Sequence, residues 1–115
     1  MKDFRNVEAW SKSHALALRV YQETQAMPRE EVFGITMQLR RSSVAIPTRI
    51  AEGCGRSNET EFANDLRRAI AHCSELEYLI LLARDLKHLP PETADRLMEA
   101  TVEVRKMVFG FLRTF

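Results

Sequence analysis

The sequence predicts an all-α protein: an antiparallel up-and-down four-helix bundle made by a single domain. Three observations predict it. Apolar residues recur at alternating spacings of three and four along most of the chain, the period of a helix with one buried face. The four glycines and four prolines gather at a few points and divide the chain into long helical stretches. No stretch shows the two-residue alternation of a half-buried strand. At 115 residues, one domain buries roughly 65% of the surface its unfolded chain exposes, enough for one apolar core.

The first helix is expected over about residues 7–27, with Asn6 as its cap and Pro28 beyond its end. Its expected seam is Val7, Trp10, His14, Ala17, Tyr21 and Thr24. The second is expected over about residues 30–54, starting in Pro28-Arg29-Glu30-Glu31, where a proline and early carboxylates suit a helix N-terminus. Its seam runs Ile35, Leu39, Ser42 or Ser43, Ile46 and Ile50. Pro47 interrupts it, but the period survives, so the reading is one helix kinked at Pro47. The third is expected over about residues 58–89. Asn58-Glu59-Thr60-Glu61 resembles a capping box, and the seam is Phe62, Leu66, Ala69, Cys73, Leu76, Ile80 and Ala83. A second stripe, Leu79, Leu82, Leu86 and Leu89, lies beside it. The fourth is expected over about residues 92–112, with Ala94, Leu97, Thr101, Val104, Val108 and Phe111 inward. Short connections between long helices make neighbours antiparallel.

Helices three and four carry more apolar surface than one bundle seam needs. Met98, Met107, Phe109, Leu112 and Phe115 add to it near the end of the chain. Two explanations stand at this point, a wider core or a subunit interface.

Composition narrows the function classes. The formal net charge is +1, so no global field draws the chain to nucleic acid, and any such site is a local patch. The residues from Met1 to Arg5 open no apolar leader, and no apolar run approaches the length of a membrane span. Two cysteines do not make a disulfide scaffold, so the expectation is a cytoplasmic chain with reduced thiols, no membrane partner, and a chance glycosylation sequon at Asn58.

Enzyme chemistry finds little to stand on. Glu-x-x-His, which a di-metal bundle needs, does not occur, and His14 has no carboxylate three or four residues on. His14 therefore reads as a core or interface histidine, and no metal or other cofactor is expected. Cys73 reads as small core filler and Cys54 as a thiol in a Gly-flanked, exposed turn with no imidazole beside it. Gly53-Cys54-Gly55 lacks the preceding strand and the Gly-Lys-Ser/Thr of a phosphate loop. It reads as a helix C-terminus in which glycine supplies left-handed geometry, with Glu52 and Arg56 pairing across the turn.

The arginines carry the sharper reading. Between residues 34 and 56, Arg40, Arg41, Arg49 and Arg56 face only Glu52, a local excess of three positive charges. Antiparallel packing would bring Arg67 and Arg68 beside them. Guanidinium forks suit phosphate, so the patch is a candidate contact for structured RNA or DNA. The competing reading is a salt-bridged surface neutralised by Glu59, Glu61 and Asp65. No aromatic residues interleave with these arginines, which argues against base stacking.

The run Gln38-Leu39-Arg40-Arg41-Ser42-Ser43-Val44-Ala45-Ile46-Pro47, followed by Ile50-Ala51-Glu52-Gly53-x-Gly55-Arg56, resembles the hallmark of the four-helix bundle proteins related to the 23S rRNA intervening-sequence protein. Val7-Glu8-Ala9-Trp10, Val20-Tyr21, Phe33-Gly34-Ile35-Thr36, Glu61-Phe62 and Ser74-Glu75-Leu76-Glu77 match as well, so the resemblance covers essentially the whole chain. It implies a left-handed bundle assembled as a homopentamer with no enzymatic activity. It makes Trp10, Tyr21, Pro47, Ile50, Glu52, Gly53 and Gly55 motif positions. The chain is also similar to the accessory variability determinant of diversity-generating retroelements, which implies contact with nucleic acid or a nucleic-acid-processing protein. One departure stands out: the family usually has Asn where this chain has Arg49. The expectation is a homo-oligomer that contacts RNA phosphates through Arg40, Arg41, Arg49, Arg56, Arg67 and Arg68. The alternative is a protein–protein scaffold whose arginines make ion pairs.

Overall fold

A computed structural model describes residues 2–115. Four helices, α1 (Glu8–Glu23), α2 (Ile35–Cys54), α3 (Glu59–Asp85) and α4 (Pro91–Leu112), pack in a ring in which each touches the next and α4 returns to α1. No strand occurs among the described residues. The molecule is elongated, 43 × 23 × 20 Å, the shape of long helices laid side by side, and no helix is long and apolar enough to cross a membrane.

The core follows three of the four expected seams. Ile35, Leu39, Ile46 and Ile50 of α2, Phe62, Leu66, Ala69, Cys73, Leu76, Ile80 and Ala83 of α3, and Ala94, Leu97, Thr101, Val104 and Val108 of α4 are all buried, while Phe111, also expected inward, is only half-buried. Both Ser42 and Ser43 are buried with them. The hydroxyls in this core are bonded locally: Thr101 donates to the Leu97 carbonyl at 2.7 Å and Ser43 to the Arg40 carbonyl at 2.9 Å. Among the described residues no buried side-chain nitrogen or oxygen lacks a partner.

The seam of α1 differs. The buried row is Ala9, Ser13, Leu16, Ala17, Val20 and the following Thr24. Trp10 is only half-buried, and His14 and Tyr21 are exposed. Both rows have helical spacing and lie about one residue apart around the helix, so the period alone did not say which faces inward. Ala9, Ser13 and Ala17 are small, and α1 can sit close to its neighbours only on that side.

Helix ends differ from expectation where tertiary contacts decide them. Asn6 ends a short 3₁₀ turn (Phe4–Asn6) instead of capping α1; the turn is capped by Asp3, and Val7 precedes the helix. α1 stops at Glu23 rather than Met27, and residues Arg29–Glu31 form a separate 3₁₀ turn before α2 begins at Ile35. There Glu31 is tied to His88 of the α3–α4 connection at 3.0 Å. α3 stops at Asp85, not Leu89. Lys87 takes a left-handed φ of 64°, and His88 N–H bonds back to the Ala83 carbonyl at 2.9 Å. This is the Schellman closure with lysine where glycine is usual, so no glycine marks it in the sequence. α2 runs unbroken through Pro47, whose missing N–H leaves the Ser43 carbonyl without its helical donor.

Both thiols are buried, which corrects the expectation of an exposed Cys54. Burial raises the pKa of each, and Cys73, with Glu77 adding to the effect, is pushed up to about 12. Below pH 9 the Cys73 thiol is neutral folded or unfolded, so it contributes no pH dependence. Between about 9 and about 12 the unfolded chain loses that proton while the folded one keeps it, and this contribution to stability falls as pH rises. Denaturant midpoints should decline through that window less steeply in Cys73→Ala than in wild type. Iodoacetamide should label both cysteines only as fast as the fold opens; rapid labelling of either under native conditions would contradict the burial.

Candidate functional site

The region Ile50–Arg56 is built by the way α2 approaches α3. A Cβ on Gly53 would lie 2.6 Å from a ring carbon of Phe62 and 3.3 Å from Cβ of Asp65. Phe62 has no room to retreat, because Phe111 and Phe115 stand edge-on to it at ring-centroid distances of 5.6 and 4.8 Å. Gly53 is therefore set by close approach, not by a left-handed backbone. Gly55 is right-handed too, with φ −83°, and a Cβ there would make only ordinary contact.

One turn along α3, Asp65 is fully buried, and two guanidiniums reach it from the surface. Arg56 Nε donates to Oδ2 at 2.9 Å and Arg68 to Oδ1 at 3.2 Å. The pair with Asp65 raises the pKa of Arg56 and holds it charged. Asn58 accepts the Glu61 N–H at 2.9 Å as the expected cap, while the Glu61 carboxylate turns to Arg56 at 3.9 Å. The expected Glu52–Arg56 pair does not form; Glu52 faces Arg49 at 3.4 Å. Arg49 thus points outward along the α2–α3 edge.

Beside this clamp an open groove of about 550 Å³ runs between α2 and α3, lined by Gln38, Arg41, Ser42, Ala45, Thr48, Arg49, Glu52, His72 and Glu75. Ser42 Oγ lies 3.1 Å from Glu75 Oε1, which is also 3.2 Å from His72 Nδ1. Arg41 has no carboxylate within ion-pair distance among the described residues.

The six candidate arginines therefore separate. Arg41, Arg49, Arg56 and Arg68 share the α2–α3 edge. Arg40 lies on the opposite edge of α2, where Nε donates to Thr24 Oγ1 at 2.9 Å and the guanidinium lies 4.7 Å over the Tyr21 ring. Arg67 projects about 100° round α3 from Arg68, exposed and bonded to Asn64 at 2.8 Å. On the shared edge the four arginines face Glu52, Glu61, Asp65 and Glu75, so the edge is charge-balanced. The sequence shows the arginines, but in it Asp65 reads only as one of several neutralising acids. Its position amid Phe62, Leu66 and Ala69 on the buried face was the available signal.

A family model described as 23S rRNA-intervening sequence protein matches residues 5–110. A crystal structure of a protein of unknown function from the S23 ribosomal protein family of Bacteroides thetaiotaomicron superposes with a TM-score of 0.85 at 22% identity, covering 91% of this chain and 95% of that one. That likeness is one of fold. No functionally curated protein matches the sequence.

The two glycines should respond differently to alanine. Gly53→Ala gains about 1 kcal/mol of helix propensity but forces Phe62 against its aromatic neighbours, at about 1–3 kcal/mol, so a net loss is expected. Gly55→Ala should be neutral or mildly stabilising. Arg56→Ala strips one donor from a buried carboxylate and should lower stability. Urea melts of the three variants check the order; equal effects at Gly53 and Gly55 would refute the close-approach account.

Proposed function

This chain belongs to the 23S rRNA-intervening sequence protein family, and from that premise we propose that it is a non-catalytic bundle that assembles with copies of itself, as a pentamer if it follows the family resemblance, and serves as a cytoplasmic protein–protein scaffold. The observation that carries this reading is apolar surface left over after a complete core. Phe33 is 83% exposed and Tyr78 60%, and Leu18, Leu81, Leu86 and Phe109 are exposed as well. Apolar side chains in such numbers on a small domain mark association. Phe33 belongs to the Phe33-Gly34-Ile35-Thr36 string shared with the family, and the Glu31–His88 contact holds the turn before it in place. Both thiols are buried with raised pKa values, so neither is placed to act as a nucleophile.

A second reading, contact with structured RNA, is favoured by one observation: Arg41 and Arg49 line an open groove, and Arg41 lacks an acidic partner. With Glu52 and Glu75 in the same groove, such a contact positions phosphates and does not read bases. Arg40 drops out of it, since its guanidinium is spent on Thr24 and Tyr21. A nucleic-acid-processing protein would be the partner in place of RNA if the groove bound a peptide.

Size-exclusion chromatography with light scattering should give a multiple of the 13.3 kDa chain mass, near fivefold for the pentamer; a monomer at every concentration would sink the scaffold reading. For RNA, a filter-binding salt titration should show Arg41→Glu/Arg49→Glu weakening retention and lowering the salt slope by about two. Equal, salt-insensitive retention of variant and wild type would end that reading.

A further inference from the structure

Where α1 passes into α2, the bundle end holds a second hollow, of about 440 Å³, that shares no lining residue with the α2–α3 groove. Its wall is mostly carbon, with buried Met27, half-buried Pro28 and exposed Val32 in it. A mostly apolar hollow of about 300–1,000 Å³ with a few convergent polar groups is the usual make-up of a small-molecule site. Here the charged groups in the wall are Arg29 and Arg40, and no carboxylate lines it. Neither arginine forms an ion pair among the described residues. The bonds that hold Arg40 on the α1 side of α2 run to neutral acceptors, Nε to Thr24 Oγ1 at 2.9 Å and Nη2 to the Tyr21 carbonyl at 3.3 Å. They place the guanidinium without neutralising it, and three of its five N–H donors remain. The nearby acids are turned elsewhere. Glu31 faces His88 at 3.0 Å. Glu23 follows Arg19 by one turn, on the α4 side of α1. Glu30 is exposed and outside the lining.

A third polar group in the wall is under-used. Thr36 is 5% exposed, and the only hydrogen bond of its hydroxyl runs to Met27 Sδ at 3.9 Å, a weak acceptor. The other buried threonines Thr24 and Thr101 instead donate to the carbonyl four residues back, each at 2.7 Å. We propose that this hollow binds a small organic acid: an apolar body against Met27, Pro28 and Val32, with its carboxylate held by Arg29 and Arg40. The Thr36 hydroxyl is free to exchange its sulfur partner for a carboxylate oxygen. Guanidinium forks suit a carboxylate, and an uncharged or cationic ligand would leave both charges unmet. At about 440 Å³ the hollow takes a short apolar body and not a polypeptide segment. The proposal goes beyond the scaffold and RNA readings, which use other surfaces.

Octanoate is the probe. Propionate, which lacks the body, and octylammonium, which reverses the charge, are titrated beside it. Amide NMR shifts with octanoate should saturate and stay within Thr24–Arg40, and the two controls should give no saturable response. Arg29→Gln should weaken octanoate binding about two- to fivefold, the range of an exposed ion pair, and Val32→Glu, which sets a carboxylate in the wall, should abolish it. Val32 is 48% exposed, so the fold should tolerate the change; should circular dichroism show lost helicity, Arg29→Glu repeats the experiment at the exposed rim. Octanoate shifts that never saturate or that spread to Tyr78 and Phe109, an equal response to either control, or unchanged binding in both variants would each overturn the proposal. Tighter binding of an acetylated tripeptide ending in leucine than of octanoate would give the site to a protein tail and overturn the small-acid assignment.

Discussion

The approach of α2 to α3 at Gly53 is the constraint on which the rest of this end of the molecule depends. With only hydrogen on that carbon, the ring of Phe62 lies against the α2 backbone. That closeness draws Asp65 under the end of α2 and out of water. A buried carboxylate is costly unless charge and hydrogen bonds compensate it. Arg56 does so from the turn after α2 and Arg68 from the next turn of α3. The α2–α3 connection is thereby fixed at both ends: by a packing contact that tolerates no side chain and by a charge that tolerates no loosening. Lys2 N–H also bonds the Cys54 carbonyl at 2.9 Å, so the start of the chain closes over the same helix end.

This arrangement explains a string of residues that composition leaves puzzling. Gly53 is there for Phe62, Arg56 for Asp65, and Glu52 for Arg49 rather than for the turn. The arginine surplus between residues 34 and 56 was real as a count along the chain. Folding brings Glu61, Asp65 and Glu75 from α3 to the same edge and removes the surplus. Charge counted along one helix is a poor guide to the field at a surface made by two helices.

How far the fold was legible follows the same logic. The buried rows of α2, α3 and α4 could be read because each holds large apolar residues at helical spacing, such as Leu39, Ile46 and Ile50, Leu66, Leu76 and Ile80, and Leu97, Val104 and Val108. The cap at Asn58 and the start of α4 near Pro91 could be read because the side chains that make them act locally. The end of α3 could not, since Lys87 occupies a left-handed position with no glycine to announce it. The end of α1 and the start of α2 could not either, because the Glu31–His88 contact that helps shape their connection joins residues far apart in sequence. At the candidate site the arginines were visible and their partners were not.

The misread seam of α1 is the most instructive case. Trp10, His14 and Tyr21 have the spacing and bulk of a core row, and yet the inward row is Ala9, Ser13, Leu16, Ala17 and Val20. Both rows have helical spacing, and side-chain size separates them. Small residues face the partner that comes closest, which is the rest of the bundle. The aromatic row faces outward beside α2, where it is stabilised only in part by Arg40 and by the Trp10–His14 stack. Leaving Tyr21 and Leu18 about half wet forgoes roughly half of the burial energy of a large side chain, on the order of 1 kcal/mol each. With Ala9, Ser13 and Ala17 on the inner row beside Leu16 and Val20, α1 lies close to its neighbours, and its larger aromatic residues stay at the rim. The periodicity correctly reported an apolar seam on α1 and placed it about one residue too far round the helix.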